Sequence, residues 1–563
     1  MNVLKQIGTY CLFIICCFLA FYFFAVNAFP NWAFFLYLFS AGIFFLRYLP
    51  IQKCKYFILR YRIDLVISIG LFIATLCLYL YRITEITPGM WGDEVSLGWI
   101  VEDLLRRHMF TPFLAVNLGH PTPLVYLSAL FITIMGRSII SLRIVSVIFG
   151  AFSVVAFYLF LRLFFNKILS FSGGLLLATS YVLIIVSRFA YEMSAAVFFF
   201  ICSLFAYVLF FKKMDVRRVV FLGFFLGLGI YTYLAFRAVF PIFLIAALLP
   251  ILKKGKNRIQ IIAFLFMSIL LVLFPLITYS IHNPEAVSER IHSLNVFGQN
   301  LPTIEVIKEL KGASFRTLTM FFFTGDPNPR QNPAGTTPFD IFTSIFFFVG
   351  LIYLFIKKRW IGSILTLLIM AILFTEIITL ERIPEFHYYG LGHPNTLRIS
   401  LLVPIVIFAV TWVIKLFSDR FTNGKYKYLG IGIVVCLISG INLNRYYNQK
   451  LNTWIYTTNF VVPLKVVDYL NSQKPNNVAL SSTFYENQHI KYFLDPKINV
   501  FKLTIPLDCT FKDISQNVSI VSFQDLSPCS QDQFKNLVRN PFYIISTMIS
   551  PWDTLDAIEI TKK

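Results

Sequence analysis

Apolar residues run in blocks of about twenty along most of the chain, separated by short polar knots. About 20 apolar residues are needed to cross a bilayer. On that measure the sequence predicts spans near 7–27, 29–49, 63–82, 143–162, 168–187, 190–211, 218–234, 237–253, 259–281, 339–356, 361–380, 397–417 and 427–444, about thirteen in all. The run 124–135 is also apolar, but it is short and led by prolines, and reads as a helix lying in the interface. Beyond residue 446 the pattern changes. One helix is expected over Pro463–Ser472, with strands near 478–481, 498–503, 520–523 and 543–546. The expected fold is an all-α polytopic membrane protein (residues 1–445) with a small C-terminal α/β extracytoplasmic domain (residues 446–563).

The knots between the blocks assign sides. With the basic loop 47–62 inside, Lys212–Arg218, Lys253–Arg258, Lys357–Arg359 and Lys415–Lys427 also fall inside, as do Arg162 and Lys167. That is the positive-inside pattern at every short loop. A spanning 124–135 run would reverse every later loop. The N-terminus is therefore expected in the cytoplasm and the C-terminal domain outside. The outer segments are then 83–142, the turns around Arg188 and Tyr233–Arg237, the long loop 282–338, the loop 381–398 and the tail. These hold nearly every unusual polar residue of the membrane part.

Composition agrees. The chain of 563 residues is 57% hydrophobic and 14% charged, with a mean hydropathy of +0.72, which excludes a soluble domain. Its 63 Phe and 28 Tyr suit lipid contact and interfacial belts. The net charge of +21 is what inward basic loops produce, so nucleic acid is not the expected partner. Lys5 followed by an apolar run reads as an uncleaved first span, because a second run follows at once. Of nine Cys, only Cys509 and Cys529 lie in a polar region, where a disulfide and two free thiols are both open readings.

The chemistry is sought at the outer face. Pro88-Gly89 opens a polar island that presents Asp93-Glu94 and closes on Gly119-His120-Pro121. Adjacent helical residues point about 100° apart, so one acid can serve as general base while the other holds a neighbouring group. As a bland alternative, the pair is a solvated helix start. Arg188, Arg237 and Arg398 each stand at the outer end of a span, against the inward preference for basic residues, and Arg382 is similar. Either they hold an anion or they snorkel to headgroups. Tyr231 and Tyr233 bind sugar or belong to the aromatic belt. His120 and His393 stand in Gly-His-Pro and read first as local hydrogen-bonding residues. Asp93, Glu94, His120, His387 and His393 are groups that a divalent cation would use, but no spacing among them selects one, and no metal is assigned. Glu192, four residues after Arg188, is expected to pair with it. Asp326 and Arg330, in the turn-rich stretch 325–332, are expected to be exposed.

The order of these motifs resembles the multi-spanning glycosyltransferases of the GT-C class, most of all the bacterial relatives of protein O-mannosyltransferases and of lipid A aminoarabinose transferases. The matching elements are Gly92-Asp93-Glu94 after an outward helix, His120-Pro-x-Pro-Leu opening an interfacial helix, Ser141-Leu-Arg143, Ser187-Arg188-Phe-Ala, Tyr231-Thr-Tyr233-Leu-Ala-Phe-Arg237, Gly325–Asn332 and His393-Pro-Asn-Thr-Leu-Arg398. They cover roughly residues 60–420 and leave the tail unassigned. The resemblance implies a polyprenyl-phosphate-linked sugar as donor and an acceptor hydroxyl on a protein, lipid or cell-surface glycan, at the outer face of the cytoplasmic membrane. It implies Asp93 as general base with Glu94 in support, and Arg188, Arg237, Arg398, Tyr233 and His120 around the donor's phosphate and sugar. A rival, a transporter or flippase of lipid-linked sugars, would place its polar groups near the bilayer midplane. Here they gather at one face.

Overall fold

A computed structural model describes residues 31–48, 62–107, 110–116, 119–254, 257–298, 301–328, 331–380, 392–421, 423–448, 461–503, 518–522, 543–549 and 555–562. The expected span 7–27, Arg330, Arg382, His387, Cys509 and Cys529 lie outside the described residues. The chain divides into two compact units. One comprises residues 1–83, 100–131 and 143–450; the other comprises 84–99, 132–142 and 451–563. The expected single boundary near 446 is thus replaced by a unit that also takes in residues 84–99 and 132–142.

The first unit is helical. Among the described residues, seven helices are long and apolar enough to cross a membrane: Arg62–Leu80, Ile139–Leu161, Met193–Lys212, Ala235–Lys253, Arg258–His282, Arg359–Ile377 and Gly424–Tyr447. A bent pair of helices adds an eighth apolar stretch of that length. The expected span 168–187 is two helices, Lys167–Ala178 and Tyr181–Arg188, bent by 56°. The break falls on Thr179-Ser180. Thr179 turns its hydroxyl back to the Leu175 carbonyl at 2.8 Å, and the Ser180 side chain caps the second helix by accepting from the Leu183 N–H. Other expected spans are shorter helices: Val216–Ile230, Ile341–Lys357 and Leu402–Ser418. The expected thirteen long spans are therefore not what the described helices provide. Pro123–Met135 has 13 residues, about 20 Å of helix, too short to cross the hydrocarbon core.

The second unit is built on a mixed sheet. Strands β1 (Phe113–Leu114) and β2 (His120–Pro121) form a separate small ribbon in the first unit. Strands β3 (Asn477–Ser481), β4 (Asn499–Leu503), β5 (Val518–Ser522), β6 (Tyr543–Ile549) and β7 (Leu555–Lys562) form one sheet in the order β4-β3-β5-β7-β6. Strand β3 runs parallel to β4 and β5, while β7 is antiparallel to β5 and β6. Four of these strands fall within two residues of their expected starts; β7 was not foreseen. Val466, Val467 and Leu470 on one face of the helix Val461–Gln473 pack with Val478, Leu480, Phe484, Ile490 and Ile520 into its core.

Candidate active site

In the first unit the β1–β2 ribbon builds one wall of a cleft. Gly119 has φ +86°, a backbone region that favours glycine, and a β-carbon there would come within 2.4 Å of the Phe113 ring. Phe113 pairs with Pro121 and Leu114 with His120 across the ribbon. Tyr126, on the following helix, ties it down by accepting from the Thr111 N–H at 2.7 Å and donating to the Thr111 carbonyl at 2.8 Å. Thus Gly-His-Pro fixes where the imidazole stands. His120 Nδ1 lies 2.8 Å from Glu192 Oε1, at the start of the helix Met193–Lys212. Burial raises the Glu192 pKa, but the bond to His120, its charge and the Arg290 guanidinium outweigh that and hold the carboxyl down to about 2. The expected pairing of Glu192 with Arg188 is not made.

The cleft is lined by Pro121, Glu192, Tyr233, Arg237 and Arg290 among others. Tyr233 lies in the turn between two helices, and burial raises its pKa, opposed by the nearby Arg398 and Arg290 guanidinium groups. Arg237 opens the helix Ala235–Lys254; its Nε is buried and has no hydrogen-bond partner among the described residues. Arg290 sits on the helix Pro284–Leu294. Two guanidinium groups facing one cleft with a phenol are suited to a phosphate. Arg290 was not singled out in the sequence, where it is one charge among Glu285, Glu289 and His292 on a polar helix.

A buried network adjoins Tyr233. Glu376, fully buried near the end of Arg359–Ile377, accepts at Oε1 from the Asn395 N–H at 2.9 Å and lies 3.0 Å from His393 Nδ1. Its Oε2 is 3.6 Å from Arg398 Nη1. Asp326 accepts from the N–H groups of Asn328 and Thr396, each at 2.8 Å. So the two motifs 325–332 and 393–398 are joined through one carboxylate, and Arg398 is held by another. Asp326 is completely buried, contrary to the expected exposure; one of its two backbone partners, Thr396, comes from a loop 70 residues away. Glu376 was missed, although a lone acid in an apolar helix is the usual mark of an internal partner.

Arg188 stands elsewhere. It is 1% exposed. Its Nη1 donates to the carbonyls of Tyr79 at 2.6 Å and Tyr81 at 2.8 Å, Nη2 to that of Arg82 at 3.0 Å, and Nε to the Tyr446 hydroxyl at 2.9 Å. The rings of Tyr446 and Tyr447 flank it. It therefore closes the C-terminal end of the helix Arg62–Leu80, where carbonyls lack helical partners, and is not free for a donor phosphate. Arg143 does a similar task at Ile83, donating from Nη1 at 2.9 Å.

In the second unit, Asp93 and Glu94 open the helix Gly92–Arg107. Asp93 is exposed. Glu94 is fully buried, and its Oε2 accepts from the Trp91 N–H at 3.2 Å, a helix-start contact that fixes the turn carrying Asp93. No group of three or more potential metal-ligating side chains occurs among the described residues.

Residues 119–279 match the model of the family described as Dolichyl-phosphate-mannose-protein mannosyltransferase. The match takes in His120, Glu192, Tyr233 and Arg237 and stops short of Asp93 and Arg398. No curated protein matches the chain. Among solved structures, ArnT from Cupriavidus metallidurans bound to undecaprenyl phosphate superposes with a TM-score of 0.52 at 11% identity, covering 88% of this chain and 97% of that one. The apo state of the same protein gives 0.51 at 11% identity, with the same coverage. The archaeal oligosaccharyltransferase AglB from Archaeoglobus fulgidus is 13% identical with a TM-score of 0.45, over 90% of this chain and 75% of that one. The chain is a multi-pass membrane protein with the fold of the GT-C glycosyltransferases, and its residues 119–279 match the dolichyl-phosphate-mannose-protein mannosyltransferase family.

Proposed function

We propose that the protein is an integral-membrane glycosyltransferase that moves a sugar from a polyprenyl-phosphate donor to an acceptor hydroxyl on a protein, lipid or cell-surface glycan, at the outer face of the cytoplasmic membrane. The observation that carries this reading is the cleft lined by Arg237, Arg290 and Tyr233, of which Tyr233 and Arg237 lie inside the segment that matches the mannosyltransferase family. A prenyl phosphate bound in a structure of the same fold supports it. A transporter of lipid-linked sugars is not favoured.

In this reading Arg237 and Arg290 bind the donor phosphate and take up the charge that grows on it as it leaves. The Tyr233 phenol donates to a phosphate or sugar oxygen, with Arg398 behind it. Glu192 keeps His120 in place at the ribbon wall. The acceptor oxygen bonds to the sugar's anomeric carbon as the bond to the phosphate oxygen breaks, and the acceptor's proton passes to Asp93. Such a displacement inverts the anomeric centre and needs no covalent sugar–enzyme bond. Glu94 supports by holding the turn.

The test is transfer from a labelled prenyl-phosphate sugar by the purified chain. Removing a general base costs on the order of 10²- to 10⁴-fold, so Asp93→Asn should lower kcat by that much with little change in donor KM. Undiminished transfer by this variant would reject Asp93 as base.

A further inference from the structure

The second unit holds the residues around Asp93 from both sides. The short helix Gln488–Phe493 supplies the contacts, and its Ile490 is anchored in the core with Val466, Leu470, Val478 and Ile520. His489 is 2% exposed, and its Nε2 lies 3.0 Å from the Met90 carbonyl. Burial lowers its pKa to about 4 despite a smaller upward pull from that carbonyl, so the ring is neutral at pH 7. A carbonyl only accepts, so Nε2 carries the proton.

Tyr492, fully buried, grips the other side. A β-carbon on Gly98 would come within 2.4 Å of Tyr492 Cζ, so the helix backbone lies directly against the ring. Trp99 meets the same ring edge-on at 5.4 Å. Arg137 locks the arrangement, donating from Nη1 to the Tyr492 carbonyl at 3.2 Å with its guanidinium over the ring at 5.4 Å. Met90 precedes Asp93 by three residues, and Gly98 follows it by five. Between these grips Glu94 and Val95 are fully buried, and Asp93 alone of the three is exposed.

We propose that the C-terminal domain is a clamp on the element that carries Asp93, with His489 and Tyr492 as positioning residues that fix where its carboxylate stands. This rests on the transferase reading above. It gives the tail a function inside the reaction, as the far half of the support for the base. A displacement of about 1 Å in a reacting group costs on the order of 10²-fold in rate, and a side chain at the first turn of a helix moves with its backbone.

The experiment uses the full-length chain and four variants. His489→Ala should lower kcat about 10- to 100-fold and leave the donor KM within about two-fold. His489→Gln, which retains a side-chain N–H for the Met90 carbonyl, should recover part of the loss. Gly98→Val, which pushes against Tyr492 from the opposite side, should lower kcat in the same way. With Asp93→Asn already present, His489→Ala should cost nothing more, because the residue acts through the base. Amide hydrogen exchange of residues 90–99 should accelerate in His489→Ala while the helices of the first unit keep their protection. Unchanged exchange at 90–99 would overturn the clamp, as would an undiminished His489→Ala cost with Asp93→Asn present. A wild-type chain that transfers no sugar from any prenyl-phosphate donor would instead overturn the transferase reading, and the exchange result would still decide whether the tail clamps the element.

Discussion

Two arginines that look alike in the sequence have opposite fates. Arg188 and Arg237 both follow or precede apolar runs, and both lie in motifs that resemble those of the GT-C class. What separates them is the partner set, which is not local. Arg188 meets the carbonyls of Tyr79, Tyr81 and Arg82, more than a hundred residues earlier, whereas Arg237 lines the cleft with a buried Nε that has no partner among the described residues. Their substitutions should therefore split. A hydrogen bond to a charged group contributes about 1.5–3 kcal/mol, so Arg237→Ala and Arg290→Ala should each raise the donor KM by roughly ten-fold or more, with thermal unfolding in detergent little changed. Arg188→Ala leaves several buried carbonyls unsatisfied at about 1–3 kcal/mol each, so it should lower the melting temperature sharply. Normal stability with a raised donor KM in Arg188→Ala would return that residue to the binding site. At this scale the sequence revealed residue types and the motifs that hold them. The Gly119-His120-Pro121 turn was also legible, because a backbone constraint is written into three consecutive residues. Arg290 was not, since an arginine on a polar helix carries no mark of which way it faces.

Among elements, the outer loops 325–332 and 393–398 show what a sequence reading of order can and cannot supply. Both were picked out as motifs, but their union through Asp326 depends on a fold that brings Thr396 to it. Burial raises the Asp326 pKa, and the nearby Glu376 charge adds to that; the Thr396 and Asn328 N–H groups oppose it, leaving a value of about 6 against an ordinary 3.8. The sign follows from proton binding. Between about 4 and 6 the native chain holds a proton at Asp326 that the unfolded chain has already released, so the group's contribution to stability is present below that window and is lost as pH rises through it. The shift corresponds to a loss on the order of 3 kcal/mol. Thermal unfolding of the wild type and of Asp326→Asn at pH 4.5 and pH 7 should differ accordingly: the wild type should lose more stability on going to pH 7 than the variant, which has no proton to release there. Equal changes in the two chains would show that Asp326 does not titrate in this window. The broken helix pair around Thr179-Ser180 was equally hidden, because both halves are apolar and only the hydroxyl pair between them marks the bend.

For the whole molecule, the distribution of charge predicts a side for the cleft. Lys212–Arg218, Lys253–Arg258 and Lys357–Arg359 belong together on the positive-inside rule, and the helix Pro284–Leu294 then belongs to the opposite face. Glu289 and Lys357 are both exposed, and they report the two sides independently of any activity. In a chain whose own nine cysteines have been replaced, a cysteine at Glu289 should react with a membrane-impermeant maleimide in intact cells, and one at Lys357 only after permeabilisation. The consequence reaches the chemistry, because Arg290 is the next residue and lines the cleft. Whichever side residue 289 labels from is the side on which the donor's phosphate would sit. Labelling at 289 only after permeabilisation would move the cleft to the cytoplasmic face, and transfer at the outer face of the cytoplasmic membrane would have to be abandoned even if the cleft itself proved to bind prenyl phosphate.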